Sequence, residues 1–317
     1  MSSAPEVICA GILVADHFSS PMKALPRAGE LVAVPEMALR IGGCAANVAV
    51  DLAKQEVATS VMGKVGRDIW GRFLKEELSG HGIDTSGVME TDAFQTSQTL
   101  VLLCVGEDRR FVHSFGANKD LRAEDFNRER VASAKAFYLG GYLAMPGLEP
   151  GATADLFRFC RERGVTTFLD VVTSGDFEPS GELEAVLPFV DFFLPNDDEA
   201  LLLTGRTDPA EQAQALIDLG CRTVVLTLGS RGTLVHDGTG LHRFGAFHVK
   251  AVDSSGSGDA FAAGFITAHL RGGTIEDWVR RGSALGASCV LKIGCTEGVF
   301  TRTQVEEFLA SNRLSAA

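Results

Sequence analysis

Short apolar runs alternate with helical patterns along most of this chain, and that alternation restricts the fold more than any other feature. Residues 7–14 form the first continuous apolar run, which is typical of a strand buried on both faces. Further strands are predicted at residues 58–62, 136–139, 166–169, 191–194 and 223–228. Helical patterns separate most of them, at residues 45–54, 69–78, 152–163, 197–203 and 210–219. This order predicts an α/β, doubly wound fold with a mostly parallel sheet flanked by helices.

Two segments break the alternation. Residues 31–41 and 97–115 have extended patterns, and a Gly106-Glu107-Asp108 turn divides the second into a predicted hairpin. We expect these segments to form a small β-sheet lid, over approximately residues 16–41 and 95–116. An edge hairpin or a surface that pairs two copies of the chain fits the same pattern. Residues 1–317 are otherwise predicted to form one domain, which ends in helices at residues 260–271, 275–291 and 302–311.

Composition narrows the class of protein. The hydrophobic content of 45% over 317 residues is enough for a large core that needs no disulfide bonds or structural metal ions. A formal net charge of −12 argues against nucleic acid or an anionic membrane as a partner. The seven cysteines are odd in number and lack Cys-x-x-Cys spacing, so they are expected to be reduced core residues. No secretory signal pattern or spanning apolar run is present, and a cytoplasmic location is expected.

The segment from Asp253 to Asp259 carries the strongest chemical signal. Its sequence, Asp-Ser-Ser-Gly-Ser-Gly-Asp, leads directly into an apolar run that is typical of a buried helix. Glycines at alternate positions permit a sharp turn, and the N–H groups and dipole of the helix N-terminus attract anions. Asp259 in the first helical turn could accept a proton from an alcohol beside a phosphate. Asp in a first turn is also common for purely structural reasons.

A second group of residues suggests a polyol site. Gly42 and Gly43 permit a close approach of the backbone to a ligand, and Asn47 is expected one turn into the following helix. Asp16 follows the first predicted strand, at the sheet edge where ligands bind in open α/β folds. Each residue alone is equally compatible with a turn or with tight packing.

Six short motifs together resemble the ribokinase-like (PfkB) family of carbohydrate kinases, in that family's order and spacing. They are Gly42-Gly43-x-x-x-Asn47, Gly63-x-Val65-Gly66-x-Asp68-x-x-Gly71, Gly116-Ala117-Asn118, Asn196-x-x-Glu199, Thr227-x-Gly229-x-x-Gly232 and Asp253-x-x-Gly256-x-Gly258-Asp259. The resemblance covers nearly the whole chain. It implies the ribokinase-like fold and an ATP-dependent kinase that phosphorylates a hydroxyl, expected to be primary, of a small sugar.

The resemblance also implies roles for individual residues. Asp259 would be the catalytic base, and the N–H groups of Gly256, Ser257 and Gly258 would form the anion hole. The sugar would be bound by Asp16, Gly42, Gly43 and Asn47, and the nucleotide by Asn196, Thr227, Gly229 and Gly232. Glu199 would help to hold Mg²⁺ through water. Asp253 and Ser255, with backbone carbonyls near residues 289–294, match an alkali-metal site, expected to bind K⁺.

The chain departs from the family pattern at one position in particular. Cys44 stands where ribokinases typically have a lysine that meets the phosphates. Gly116-Ala117-Asn118 is similar to the ribokinase branch, whereas Asp170 at the end of a predicted strand is similar to other sugar kinases. The subfamily is therefore open at this point.

Two other functions remain compatible with the sequence. A nucleoside kinase of the same fold would differ only in the acceptor that its pocket takes. A non-catalytic sugar-binding regulator would keep the fold, although the intact glycine set and Asp259 argue against it. A nicotinamide dehydrogenase is disfavoured because no Gly-x-Gly-x-x-Gly follows the first strand. The expected partners are a small sugar and ATP, with a homodimer formed through the lid as a further expectation.

Overall fold

The fold is described from a computed structural model that covers residues 4–107, 109–173 and 181–316. The strands are β1 (Val7–Gly11), β2 (Val14–Ser19), β3 (Met37–Gly42), β4 (Thr59–Gly66), β5 (Asp84–Thr91), β6 (Ser97–Leu102), β7 (Arg110–Ser114), β8 (Ala136–Gly140), β9 (Thr166–Leu169), β10 (Phe192–Phe193), β11 (Thr223–Thr227), β12 (Thr233–His236) and β13 (Leu241–Phe244). The helices are α1 (Cys44–Lys54), α2 (Ile69–Gly80), α3 (Arg128–Ser133), α4 (Pro150–Glu162), α5 (Glu182–Val186), α6 (Asp197–Thr204), α7 (Pro209–Asp218), α8 (Ser257–Leu270), α9 (Ile275–Cys289) and α10 (Arg302–Ser311).

The large sheet has the order β13-β12-β11-β10-β9-β8-β1-β4-β5. Every pair from β11 to β5 is parallel, and β12 runs antiparallel to both of its neighbours, β11 and the edge strand β13. The prediction of a mostly parallel sheet flanked by helices is therefore confirmed. Because parallel strands end at one edge, the loops after β1, β8, β9, β10 and β11 meet there, which is where ligands bind in open α/β sheets.

The predicted first strand is wrong in its extent. Residues 7–14 form two separate elements, since β1 ends at Gly11 and β2 begins at Val14 in a different sheet. Gly11 has a φ of +129°, and a Cβ at this position would lie 2.1 Å from the Gly140 carbonyl oxygen. The chain leaves the large sheet at this close approach. Asp16 consequently belongs to the small sheet instead of the end of β1.

A smaller sheet, which we call the lid sheet, has the order β3-β2-β6-β7. The predicted hairpin is present as the antiparallel pair β6 and β7, although Asp108 of its predicted turn lies outside the described residues. Of the extended segment predicted at residues 31–41, only the part from Met37 onward is a strand. The side chain of Asn118 fixes the crossing between the two sheets. It accepts a hydrogen bond from Leu13 N at 3.2 Å and donates one to Leu13 O at 3.1 Å.

The helix that follows the glycine-rich segment lies in the core. Residues 260–268 of α8 are all buried, and the helix packs against α1 and α9. A helix that is apolar on every side requires such a buried position.

All seven cysteines are buried and unpaired. Among the described residues, no helix combines the length and apolar composition needed to cross a bilayer.

Candidate active site

The N-terminus of α8 forms the centre of the candidate site. Gly256 precedes the helix with a φ of +73°, and a Cβ there would lie 2.4 Å from the Cys295 carbonyl oxygen. A side chain at this position would therefore be both strained and obstructed. A Cβ on Gly258, by contrast, would meet nothing within 4 Å. The N–H of Ser257 makes a long, 3.3 Å hydrogen bond to Ser254 O. The first N–H groups of a helix have no intrahelical acceptor, so this end can bind an anion.

Asp259 lies in the first turn of α8 and is held by α1. Its Oδ2 accepts a hydrogen bond of 2.8 Å from Asn47 Nδ2, and the Cys44 thiol also donates to its carboxylate. Burial raises the pKa of Asp259, while the hydrogen bonds from Asn47 and Cys44 act in the opposite direction. The group is thus a stronger base than an exposed aspartate, and its two donors favour the ionised form.

Asp16 points from β2 toward the same centre. A Cβ on Gly42 would lie 1.9 Å from Asp16 Oδ2, so the carboxylate occupies space that only glycine leaves open. Burial, together with repulsion from Asp259 and Glu297, raises the pKa of Asp16 to about 7, against a hydrogen bond from Thr99. Asp16 Oδ2 lies 4.0 Å from Cys295 Sγ, and the Cys295 carbonyl oxygen borders Gly256, so Asp16 lies near the N-terminus of α8.

Asn47 connects the predicted sugar pocket to the predicted base. Its side chain is 3% exposed, and Nδ2 is used by Asp259. Its Oδ1 is buried and has no hydrogen-bond partner among the residues that the structure describes. Gly43, just before α1, has a φ of +89° and passes so close to Ile12 O that a Cβ would lie 2.5 Å away. This approach sets the start of α1 and hence the position of Asn47.

A cluster of acidic groups lies between α8 and the ends of β9 and β10. Ligand atoms of Cys44, Asp170 and Asp259 all lie within 4.8 Å of one another. Burial and repulsion from Glu199 and Asp259 raise the pKa of Asp170. Burial likewise raises the pKa of Glu199 to about 7, with further contributions from Asp259 and Asp198. Carboxylates that repel one another in a partly buried site form a donor set that suits Mg²⁺.

Asp170 was not assigned a role from the sequence. It follows β9 and accepts a 2.9 Å hydrogen bond from the Tyr138 hydroxyl, which orients it toward the cluster. The available signal was its place at the carboxyl end of a strand, the same argument that selected Asp16. Asp51 was also missed: it is fully buried one turn after Asn47, and neither carboxylate oxygen has a hydrogen-bond partner within the described ranges.

The predicted nucleotide residues lie at the ends of β10 and β11. Asn196 caps α6, because its Oδ1 accepts from Glu199 N at 2.8 Å and its own N–H donates to Glu199 Oε2 at 2.9 Å. A β-bridge joins Asn196 to Thr227. Gly229 is exposed, with a φ of +58°. Gly232 lies at the start of β12, where a Cβ would come within 2.0 Å of Phe244 O.

Asp253 and Ser255, predicted to contact an alkali metal, organise the loop before α8. Asp253 Oδ1 accepts hydrogen bonds from Ser255 N at 3.0 Å and Ser255 Oγ at 2.8 Å. Its Oδ2 accepts from Gly294 N at 3.0 Å, which ties this loop to the segment after α9. The predicted contributors therefore lie together, with oxygen atoms of the kind that K⁺ binds.

Comparison with known proteins agrees with this geometry. Residues 4–302 match the profile of the pfkB family carbohydrate kinases. An ATP-dependent ribose-1-phosphate kinase from Halopiger xanaduensis is 32% identical over 246 residues, covering 78% of this chain and 79% of the relative. A ribokinase from Haemophilus influenzae is 27% identical over 306 residues, covering 94% and 96%. The structure of Arabidopsis thaliana ribokinase with ribose and ATP superposes with a TM-score of 0.83 at 24% identity, over 98% of this chain and 100% of that chain.

The structural similarity establishes the fold, and the family match extends over nearly the whole sequence, including each of the six motifs. The chain also has a mostly parallel sheet, a lid sheet and an aspartate at the N-terminus of a buried helix. The chain therefore belongs to the pfkB family of carbohydrate kinases and is an ATP-dependent sugar kinase.

Proposed function

We propose that the protein transfers the γ-phosphate of ATP to a primary hydroxyl of a small sugar at the N-terminus of α8, with Asp259 as the general base. The observation that carries this proposal is the placement of Asp259, in the first turn of α8 and held by Asn47 at 2.8 Å. The carboxylate takes the proton of the sugar hydroxyl as the hydroxyl oxygen bonds to the γ-phosphorus. The bond from that phosphorus to the bridging oxygen breaks, and ADP leaves.

The negative charge on the transferring phosphoryl group is stabilised by the N-terminus of α8. The backbone N–H groups at Gly256, Ser257 and Gly258 are proposed to bind the γ-phosphate, with the open space beside Gly258 providing access. The 3.3 Å bond from Ser257 N to Ser254 O is long, so the N–H of Ser257 can turn to a phosphate oxygen at small cost. The arrangement positions charge acceptors before the reaction begins.

The acceptor is proposed to be a polyol. Asn47 Oδ1 is a buried acceptor without a partner among the described residues, and a buried polar group of this kind is costly unless a ligand hydroxyl donates to it. Asp16 offers a carboxylate to neighbouring hydroxyls. Gly42 leaves the space that the Asp16 carboxylate occupies, and Gly43 lets the chain pass close to Ile12 O before α1, so both glycines position the groups proposed to bind the sugar.

ATP and Mg²⁺ are proposed to bind along the ends of β10 and β11. Asn196, Thr227, Gly229 and Gly232 line the nucleotide side, and the carboxylates of Glu199, Asp170 and Asp259 face the phosphates. These acidic groups would hold Mg²⁺, in part through water, and the ion would neutralise phosphate charge. An alkali-metal ion, K⁺ in particular, is proposed beside Asp253 and Ser255.

The lid sheet is proposed to cover the sugar and also to pair two copies of the chain. All five residues of β7 are exposed, and its Phe111 and Val112 are 55% and 58% exposed. Leu100 of the neighbouring strand is 43% exposed. Leu100 and Val112 are register partners on one face of the sheet, while Phe111 lies on the opposite face. The exposed apolar pair of Leu100 and Val112 favours association with a second copy.

The Asp259→Asn variant tests the assignment of the base. We expect kcat to fall at least about a hundredfold, the lower end for loss of a general base, while affinity for ATP stays close to that of the wild type. Asp277→Asn is the matched control, since Asp277 also lies in the first turn of a helix but caps α9. Coupled ADP-release kinetics and calorimetric ATP titration provide the two readouts. Near-normal turnover of Asp259→Asn would exclude Asp259 as the base.

A further inference from the structure

A cleft of about 500 Å³ lies far from the candidate active site, at the junction of α8, α9 and α10. Its charged lining consists of Arg271, Arg280, Arg281, Arg313, Asp277 and Glu306. Arg271 directly follows α8, twelve residues after Asp259, so about 18 Å of helix separate the two. The cleft is therefore outside the reach of the acceptor and of the transferred phosphate.

The cleft is cationic in a strongly acidic protein. The whole chain has 29 Lys and Arg against 41 Asp and Glu, whereas the cleft has four arginines against two acids. One ion pair is present, between Arg281 and Glu306. Within the described ranges, no carboxylate oxygen lies within 4.0 Å of the guanidinium nitrogens of the other three arginines. Positive charge is thus concentrated there without matching negative charge.

The arginines are held in place by backbone carbonyls and keep donors free. Arg271 uses Nη2, which donates to Gln55 O at 2.6 Å. Arg280 also uses Nη2, which donates to Asn312 O at 3.2 Å, and Arg313 uses Nη1, which donates to Leu309 O at 3.1 Å. Two guanidinium nitrogens of each residue have no acceptor in the described part of the chain. Carbonyl contacts fix the side chains without neutralising their charge.

Electrostatic strain accompanies this arrangement. Partial burial, together with repulsion from Arg281 and Arg302, lowers the pKa of Arg271. An adjacent cleft of about 310 Å³ shares Arg280 and Arg313 and adds one further arginine, Arg243, and one acid, Glu276. An anion bound between these groups would relieve the repulsion and engage the free donors. Guanidinium groups suit phosphate best, because their planar forks match its oxygen atoms.

We propose that this cleft binds a small phosphorylated metabolite through Arg271, Arg280 and Arg313. The volume falls in the range of sites for small molecules, and the fixed guanidinium groups leave little side-chain entropy to be lost. The ligand chemistry is a phosphate group, or several, on a compact molecule. Inorganic polyphosphate, a nucleoside diphosphate and a sugar phosphate all carry it, and the experiment distinguishes them. The site does not depend on the proposed roles of the catalytic residues.

Calorimetric titration of the full chain with three probes tests the proposal: inorganic tripolyphosphate, ADP and ribose 5-phosphate. The wild type should show a binding event beyond that of the active site for at least one probe. Arg271→Gln combined with Arg313→Gln should weaken this event about tenfold or more, because it removes charged donors to the anion. Arg72→Gln, which changes an exposed arginine on α2, is the matched control and should retain both events.

Each result of the titration either supports or overturns the proposed phosphate site. The probe whose second event is lost in the double variant and kept in Arg72→Gln identifies the source of the phosphate. A single event in the wild type with all three probes overturns the proposal, as does a second event unchanged in the double variant. Kinase activity and far-ultraviolet circular dichroism establish that the variants are folded. Should the double variant not fold, Arg313→Gln alone serves, since Arg313 is exposed after α10.

Discussion

The buried Asp16 carboxyl should lower the free energy of unfolding at neutral pH, and Asp16→Asn should raise it. The carboxyl is 8% exposed, and its pKa in the folded protein is about 7. An unfolded aspartate has a pKa of about 3.9, and each unit of difference corresponds to about 1.36 kcal/mol. A difference of about three units therefore costs the native state about 4 kcal/mol once the carboxyl is ionised in both states.

The sign follows from proton uptake. Between pH 4 and pH 7 the native state retains the Asp16 proton while the unfolded state has lost it, so stability falls as pH rises. The cost is absent below about pH 4 and complete by about pH 8. Asp16→Asn, which has no ionisable group, avoids it. The variant should exceed the wild type in free energy of unfolding by about 4 kcal/mol more at pH 8 than at pH 4, while its sugar affinity falls.

Urea denaturation at intervals from pH 4 to pH 8, followed by fluorescence, measures this difference directly. The two proteins can be compared where the free energy of unfolding falls with urea concentration at the same slope. Asp92→Asn is the matched control, because Asp92 has a side chain that is 76% exposed. Its difference from the wild type should stay within about 0.5 kcal/mol at every pH. If the difference in free energy of unfolding between Asp16→Asn and the wild type does not change with pH, Asp16 is not a buried carboxyl with a raised pKa.

Two further predictions concern the backbone of the site and its acidic cluster. Gly256→Ala should destabilise the protein by about 1–3 kcal/mol or more in urea denaturation, because φ is +73° and its Cβ would lie 2.4 Å from Cys295 O. Gly258→Ala, whose Cβ would meet nothing within 4 Å, should keep wild-type stability yet lose kcat/KM, and equal stability losses in both variants would contradict this account. Asp170→Asn should raise the Mg²⁺ concentration for half-maximal activity about tenfold in a titration at fixed ATP, since one carboxylate of the cluster is lost. An unchanged Mg²⁺ dependence would remove Asp170 from the metal site.

The fold could be predicted from sequence where burial imposes a pattern. The interior strand β8 is a continuous apolar run and β9 combines two β-branched threonines with Phe168 and Leu169, and the predicted positions of both strands agree closely with the structure. The edge strands β5 and β13 were missed because their exposed residues interrupt the pattern, and the short strand β12 was missed although all four of its residues are buried. The transfer of the chain from β1 to the lid sheet was also missed. That break depends on Gly11 meeting Gly140, a contact between strands far apart in sequence.

The site was predictable to the extent that its residues lie in local motifs. Gly256 and Asp259 lie in one contiguous segment, whereas the hydrogen bond between Asn47 and Asp259 was not predicted, since the family pattern implied a sugar-binding role for Asn47. Asp170 and Cys44 meet in the site because β9 ends and α1 begins at the same edge of the sheet. No spacing along the chain records that meeting. Contacts between separate elements are therefore what the sequence left undetermined.

The acidic site resolves an apparent conflict between the protein's charge and its substrate. A chain with a net charge of −12 must bind ATP, and its site concentrates negative groups whose pKa values are raised by burial and mutual repulsion. A cation between Asp170 and Glu199 would lower that repulsion and also neutralise phosphate, so each ligand favours the other. The helix N-terminus at Gly258 then supplies attraction that needs no charged side chain. This division of roles would account for Cys44 beside Asp259: the thiol donates a hydrogen bond to the carboxylate, and a bound metal and the helix dipole would supply the positive potential.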